Sequence, residues 1–473
     1  MPVSLKRLAR AMARDGLHVR RERGAWHFQR IDDPDISAEV LMPDGFAVEN
    51  RAVHQLMGFA AAAHPDGGRV HRTIATPDFH PGSVVPVGAV VETSSDMVIP
   101  QAVGTDINCG MRLHTVDLDL AGFSARRDDF VERVKRDLLL GARDLPMTPA
   151  AMNGMFRHGL MGWLDAIRAR PIGDLARSDI SQLEAEIERS YRLGSEEGDP
   201  KWAPESLRTA DRETLRDSYL ATVGGGNHFV EIQVVEAILD GPTAWAWGVR
   251  PGQIAVMVHT GSRGVGRAIG RRWIEHARVS WPTAHRRPVS GITPLSGDAA
   301  RDYIEAMWTA ANYGAVNRML IAELVRLRMR EVYGPNLSGD LIFDAPHNLI
   351  FEENGRWVHR KGATPAHQGD PVLIPGSMGH PSYLLRGLGC ERFLSSASHG
   401  AGRALSRHEM FLKDRDGEDL GLTDVCCITL KEERRIQEAP AAYKPIQPVI
   451  DAQVEAGVAA PVARMRPLLT FKA

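Results

Sequence analysis

Cysteine is scarce. Four residues, Cys109, Cys390, Cys426 and Cys427, cannot staple a chain of 473, which excludes a disulfide scaffold and points to a reducing, cytoplasmic compartment. Long apolar runs are missing as well, so nothing reads as a membrane-spanning helix. The opening MPVSLKRLARAMARDG carries charge where a signal peptide needs an apolar stretch. Charge of one sign is not in excess: 57 Lys and Arg against 59 Asp and Glu leave a formal net charge of −2. A protein that coats duplex nucleic acid is thereby excluded, and any nucleic-acid contact has to be a local patch. No G-x-S-x-G elbow and no Walker loop occur, which disfavours a serine hydrolase and a P-loop enzyme.

What is present is ordinary in bulk, 43% apolar and 25% charged, as in soluble globular chains. Residues 1–37 read as a basic helix and then the strand-like pieces WHFQRI and AEVLM. Between residues 74 and 118, β-branched runs broken by Gly and Pro predict a β-rich core with tight turns. From about 124 to 218 the apolar residues fall at helical spacing, in FVERVKRDLLLGA, MFRHGLMGWLDAIRA and ISQLEAEIERSYRL, around a polar loop SEEGDPKWAPES. Strands return in HFVEIQVVEAIL and GQIAVMVHT, a long helix covers residues 300–334, and a second β-rich region spans 341–428. A helix then leads to a last strand, MRPLLTFK. Without βαβ alternation the expected fold is α+β, one domain over 1–473 with a β-rich core and a helical insertion at 124–218.

Glycine is plentiful, 45 residues, and much of it sits beside histidine. GTDINCGMRL puts Asp106 and Cys109 three apart on a tight turn, where both can converge on a cation; a capping aspartate and a buried cysteine are the plainer alternative. In GGGNHFVEIQ, Asn227 and His228 follow three glycines that give backbone amides room to face an anion. Glu231, in an alternating strand, points away from the face of His228. IAVMVHTGSRGVGRAIG ends a strand at His259 and enters a Gly-rich turn whose spacing is one residue too long for a dinucleotide fingerprint. It reads as an anion cradle with Arg263 beside it. LIFDAPHNLIFEE holds His347 between two apolar runs.

Each of these histidines alone is as readily a hydrogen-bonded core residue. Counted together, His228, His259, His347, Asp106 and Cys109 exceed what one metal needs and suit two divalent ions sharing a thiolate. Such pairs serve phosphoryl or nucleotidyl transfer, and Mn, Zn and Fe all accept this donor mixture. SASHGAGRALSR sets His399 among small residues, with Arg403 and Arg407 one turn apart on the same face of an expected helix; a turn before an ordinary solvated helix is the alternative. KGATPAHQGDPVLIPGSMGHPSYLLRG reads as turns throughout, with backbone amides near Ser377. Lys472 matters only if its strand docks in a site.

PDFH, GTDINCGMR, GGGNHFVEI, HTGSRG, APHN, RKGAT, IPGSMG, SHGAGR and VARMRPLLTFK run in order from residue 77 to 472. This ordered set resembles the RtcB-type RNA ligases, which join RNA ends using GTP and manganese. The resemblance implies that His399 attacks the α-phosphate of GTP to give a histidine–GMP phosphoramidate. GMP then passes to an RNA 3′-phosphate, a 2′,3′-cyclic phosphate being opened first, and a 5′-hydroxyl expels it. By the same resemblance Asp106, Cys109, His228, His259 and His347 hold two Mn²⁺ ions. Asn227, Glu231, Ser377, Gly400, Gly402, Tyr443 and Lys472 hold the guanylate, which overrides the alternation argument for Glu231. Arg263, Arg403 and Arg407 lie near phosphates or RNA backbone, with Asp78 and His80 in support. The implied partners are RNA ends, as tRNA halves or damaged RNA, and an archease-like activator, acting on a monomer. Thr260, where the family usually has serine, Ser398, where it often has cysteine, and LRDSYLATV, which lacks a basic approach for RNA, depart from the pattern. They leave a dinuclear phosphoesterase, a repair paralogue with a non-tRNA substrate and a non-catalytic RNA-binding paralogue as alternatives.

Overall fold

The computed structural model describes residues 5–43, 45–208 and 211–473. Strand alternation decides how its main sheet is covered. Every residue of Gln253–Thr260 is buried, because its two faces meet different cores. Ile254, Val256 and Val258 pack into one apolar cluster, Ala255 and Met257 into another. Phe229–Ile238 divides the same way, with Val230, Ile232 and Val234 on the first side and Phe229 and Val235 on the second. The sheet runs in the order Gly339–Pro346, Gly110–Asp119, Gln253–Thr260, Phe229–Ile238, Ala459–Lys472, Ser382–Gly387, Pro371–Ile374. Cys427–Thr429 lies parallel against Ala459–Lys472. On the first side the helix Gly297–Tyr333 contributes Met307, Val316 and Leu320 to the core, and Pro149–Ala169 adds Phe156, Leu160 and Trp163.

A second sheet runs Leu17–Glu22, Ala25–Arg30, Ser37–Leu41, Val70–His80, Val87–Thr93, Arg356–Lys361, Asn348–Glu353. Its parallel pair, Ser37–Leu41 with Val70–His80, needs a crossover, supplied by the helix Asn50–Ala60. His347 alone separates an edge strand of the first sheet, Gly339–Pro346, from an edge strand of the second, Asn348–Glu353. The two sheets thus meet at a histidine.

The α+β expectation holds, with helices Arg127–Leu138, Pro149–Ala169 and Ile180–Glu188 in the stretch read as helical, and a short helix Leu120–Ala125 starting ahead of it. The basic helix covers Leu5–Arg14 among the described residues, the first four expected residues lying outside them, and the strand Leu17–Glu22 after it escaped the pattern. Three corrections concern the second half. The β-rich region is interrupted by the helix Arg407–Arg415, which starts where Ser406 and Glu409 form a reciprocal capping box. Arg403 lies before that cap, so it does not share a helix face with Arg407. The stretch read as turns holds the strands Ala363–Pro365, Pro371–Ile374 and Ser382–Gly387, stabilised by long-range pairing that local turn residues do not reveal. No helix among the described residues is long and apolar enough to cross a membrane.

Candidate active site

Arg318, fully buried on the helix Gly297–Tyr333, gathers the loops of the site. Its guanidinium donates to Asn108 O at 2.6 Å, Thr260 O at 3.2 Å and Asp344 Oδ1 at 2.7 Å. Those acceptors sit where three strands begin or end, so one planar fork registers the segments bearing Cys109, His259 and His347. Asn108 takes a left-handed φ of +52°, which asparagine tolerates, and this turn lifts Cys109 toward the histidines.

Cys109 Sγ lies 3.2 Å from His228 Nε2 and 3.2 Å from His259 Nε2. His259 Nε2 is 3.3 Å from His347 Nε2, and Asp106 Oδ2 is 3.0 Å from His228 Nε2. The opposite ring nitrogens set the tautomers: His228 Nδ1–H donates to the Val223 carbonyl at 3.1 Å and His259 Nδ1–H to the Asn227 carbonyl at 3.2 Å. Both Nε2 lone pairs therefore face the thiol. Burial first, then the neighbouring imidazoles, hold His259 and His347 well below the usual histidine range, hence neutral. Burial and then the Asp106 carboxylate push the Cys109 thiol up. Buried lone pairs converging on a sulfur are what a cation resolves, and the donor mixture fits Mn, Zn or Fe.

The strand Ser396–Ser398 delivers His399 beside this cluster, its ring centroid 4.7 Å from that of His347. His399 Nδ1–H donates to Asp78 Oδ2 at 2.7 Å, and the other carboxylate oxygen accepts from Thr76 Oγ1 at 2.6 Å. Burial pulls the Asp78 carboxyl toward its neutral form, but the bond from His399 and the one from Thr76 outweigh it, leaving the group below the usual carboxylate range. An ionised Asp78 thus fixes the proton on Nδ1 and leaves the Nε2 lone pair for chemistry. His80 Nδ1–H donates to the Asp78 carbonyl at 2.7 Å, and burial pushes its pKa down to about 4. Gly402 has φ +79°, and a Cβ there would come within 2.4 Å of Asp78 O, so only glycine lets the two segments approach this closely.

A cleft of 340 Å³, within the size range of small-ligand sites, opens over His399, Cys109, His259 and His347. Asp106, His80, Asn227, Glu231, Ser377, Gly400, Gly402, Arg403, Arg407, Tyr443 and Lys472 also line it. Glu231 accepts from Gln233 Nε2 at 2.7 Å and Thr470 Oγ1 at 2.5 Å. Burial outweighs these bonds and pushes its pKa up to about 7. Alternation holds here: Glu231 shares the cleft face of Phe229, whereas His228, just before the strand, lies off the wall against Asp106 and Cys109. Lys472 is 3% exposed, its ammonium donating to the carbonyls of Gly226 and His228 at 3.3 Å. The docked-strand condition set for it is therefore met. Ser377 Oγ and His380 Nδ1 are 2.6 Å apart.

The structure separates Arg263 from this group. Its Nε donates to Thr222 Oγ1 at 3.1 Å and its guanidinium lies 5.9 Å from the Tyr219 ring, outside the cleft lining. Arg403 and Arg407 do converge, through Glu438 rather than a shared helix face: Arg403 Nη1 is 3.2 Å and Arg407 Nε 3.1 Å from Glu438 Oε1. Tyr443 donates its hydroxyl to the other oxygen of the same buried carboxylate. Glu438 went unnoticed in sequence, and the EAPAAYKP run that also supplies Tyr443 was the available signal. Lys361, in the quoted RKGAT, was also passed over. It lines the cleft, donates to Val103 O at 2.9 Å, and burial lowers its pKa.

Fold and donor set together define the class: a mixed α+β protein with a buried Cys–His cation cradle next to a histidine oriented by a carboxylate. A family model described as tRNA-splicing ligase RtcB matches residues 59–473. Among curated relatives, the tRNA-splicing ligase RtcB of Pyrobaculum aerophilum is 31% identical over 447 residues, covering 85% of this chain and 87% of that protein. The RNA-splicing ligase RtcB of Mycobacterium tuberculosis is 33% identical over 437 residues, covering 85% and 96%. The chain belongs to the RtcB family.

Proposed function

We propose that the protein is a GTP-dependent RNA ligase, joining RNA 3′-phosphate or 2′,3′-cyclic phosphate ends to 5′-hydroxyl ends in tRNA splicing or RNA repair. The observation that carries the reading is the Asp78–His399 pair at 2.7 Å on the rim of the Cys–His cradle. A neutral imidazole whose Nδ1 proton is held by a buried carboxylate is a competent nucleophile at Nε2. In the first step Nε2 attacks the α-phosphorus of GTP, forming the N–P bond as pyrophosphate leaves. The imidazole gains positive charge there, and ionised Asp78 stabilises it. Arg403 and Arg407 face the cleft and neutralise phosphate charge, and Glu438 holds them in place until it arrives. Glu231 and Lys472 close the far wall, where a carboxyl near neutrality and an ammonium can read a guanine edge. In the following steps an RNA 3′-phosphate oxygen takes the guanylyl group from His399, and a 5′-hydroxyl attacks the activated phosphorus with GMP as leaving group.

Asp106, Cys109, His228, His259 and His347 would hold Mn²⁺, which when bound supplies charge neutralisation at the reacting phosphates. Intact mass after incubation with GTP and Mn²⁺, with and without an archease-type activator, tests the reading. Wild type gains one GMP and His399→Ala gains none. Hydrolysis of phosphate esters without any adduct would replace it by the phosphoesterase alternative.

A further inference from the structure

The molecule leaves positive charge unneutralised in a second cleft. Residues 204–207 and 212–219 and the first half of the helix Arg263–Val279 line a cleft of 520 Å³, with Arg212, Arg216, Arg267 and Arg271 on the walls. Among the described residues, Arg212, Arg267 and Arg271 make no ion pair or side-chain hydrogen bond. Arg216 pairs with Asp144 at 2.6 Å across exposed surface, a weak tie in water. The carboxylate in the lining, Asp217, accepts from the Tyr313 hydroxyl at 2.5 Å and from Tyr219 N–H at 2.9 Å, and among the described residues no ion pair joins it to these arginines.

An aromatic ring stands among them. Tyr219 is 45% exposed, although its edge rests where a Cβ on Gly264 would come within 2.7 Å of it. The Arg263 guanidinium, 5.9 Å from the ring centroid, braces it further. The chain itself links the two clefts, from Tyr219 in the lining of the outer one to Asn227 in the lining of the cavity over His399, through three glycines. A Cβ on Gly224 would lie 1.9 Å from Arg263, one on Gly225 3.1 Å from Arg434, and one on Gly226 3.2 Å from Arg407. Each glycine of the loop thus faces a guanidinium, from the outer cleft to the wall of the cavity over His399.

We propose that this cleft docks a single-stranded stretch of an RNA substrate, with phosphates on Arg212, Arg267 and Arg271 and one base stacked on Tyr219. The strand then runs along Gly224–Gly226 to the cavity. An exposed ring between cations suits an unpaired base, whose face a duplex keeps covered. The basic approach missing from LRDSYLATV is supplied by the helix Arg263–Val279, which packs beside it. The proposal rests on the ligase reading.

The test is fluorescence anisotropy of the full chain with a labelled RNA of about 12 nucleotides, single-stranded or in duplex, titrated over about 50–200 mM salt. The double variant Arg267→Ala/Arg271→Ala is expected to bind the single strand about tenfold more weakly and to lower the log–log salt slope by about 1.4. Tyr219→Ala is expected to lose about tenfold with little change in slope, while Tyr219→Phe binds as wild type. Wild-type affinity and slope in the double variant would overturn the docking surface. Equal duplex binding together with an inert Tyr219→Ala would overturn the single-strand assignment. The GMP adduct of the wild-type protein reads the ligase assignment separately: with an adduct but indifferent variants the docking fails alone, and without an adduct the ligase reading fails whatever the anisotropy shows.

Discussion

Asp78→Asn isolates the charge of the carboxylate from its geometry. Thr76 Oγ1 lies 2.6 Å from Asp78 Oδ1 and 3.1 Å from the Gly88 carbonyl. Its single hydrogen can pass to Gly88 while its lone pair accepts from the new amide, so the asparagine keeps its oxygen toward His399 Nδ1. The tautomer survives, and a charge-assisted bond of about 1.5–3 kcal/mol becomes a neutral one of about 0.5–1.5 kcal/mol. The difference, about 1–1.5 kcal/mol, corresponds to roughly tenfold slower attack by Nε2. Asp78→Ala removes the acceptor, frees the tautomer and is expected to slow the reaction about 100-fold or more. A quenched time course of GMP adduct formation by intact mass, with bound metal quantified in parallel, measures both. Unaltered rates in Asp78→Asn at unaltered metal content, or a collapse of Asp78→Asn to the level of Asp78→Ala, would refute the reasoning.

Glu231 gives stability a pH signature. Its folded pKa, raised by burial to about 7 from 4.5, means that its contribution is fully present below pH 4.5 and is lost as pH rises through 7. The gap is worth about 3 kcal/mol. Wild type should therefore lose stability relative to Glu231→Gln across that window in urea titrations, and a difference independent of pH would contradict the assignment. Arg318→Met is expected to cost about 3–5 kcal/mol, because it leaves Asp344 with Arg112 at 3.1 Å as its ion-pair partner, unpairs the buried carbonyls of Asn108 and Thr260, and releases the loops of Cys109 and His259. Arg318→Lys should not restore it, since an ammonium cannot span those acceptors, and denaturation within 1 kcal/mol of wild type, a margin set by ordinary surface substitutions of about 0.5 kcal/mol, would rule out the clamp.

The mixed fold was legible because its strands alternate or run apolar and its helices keep their spacing over long stretches. His228, His259 and His347 stood out because each sits beside glycine or asparagine at a strand end, where a core histidine has no need of such neighbours. Glu438 and Arg318 were not legible, and the reason is common to both. Their partners come from residues 403, 407 and 443 in one case and 108, 260 and 344 in the other, and a charged residue within a helix or short turn looks solvated until tertiary structure buries it. The shared helix face expected for Arg403 and Arg407 failed on a local signal, the Ser406–Glu409 box, that was in plain view.

The strand Ala459–Lys472 fills the gap between Phe229–Ile238 and Ser382–Gly387. Until it inserts, the main sheet is two half-sheets, each with an open edge, the one at Phe229–Ile238 bordering the cleft through Phe229 and Glu231. Open edges are templates, and the same segment of a second copy could close them as well as the chain's own. Were the segment to dock from a second copy, exchange would compete with self-closure in a concentration-dependent way. An exchanged pair would carry two complete clefts, each walled at Lys472 by the other molecule.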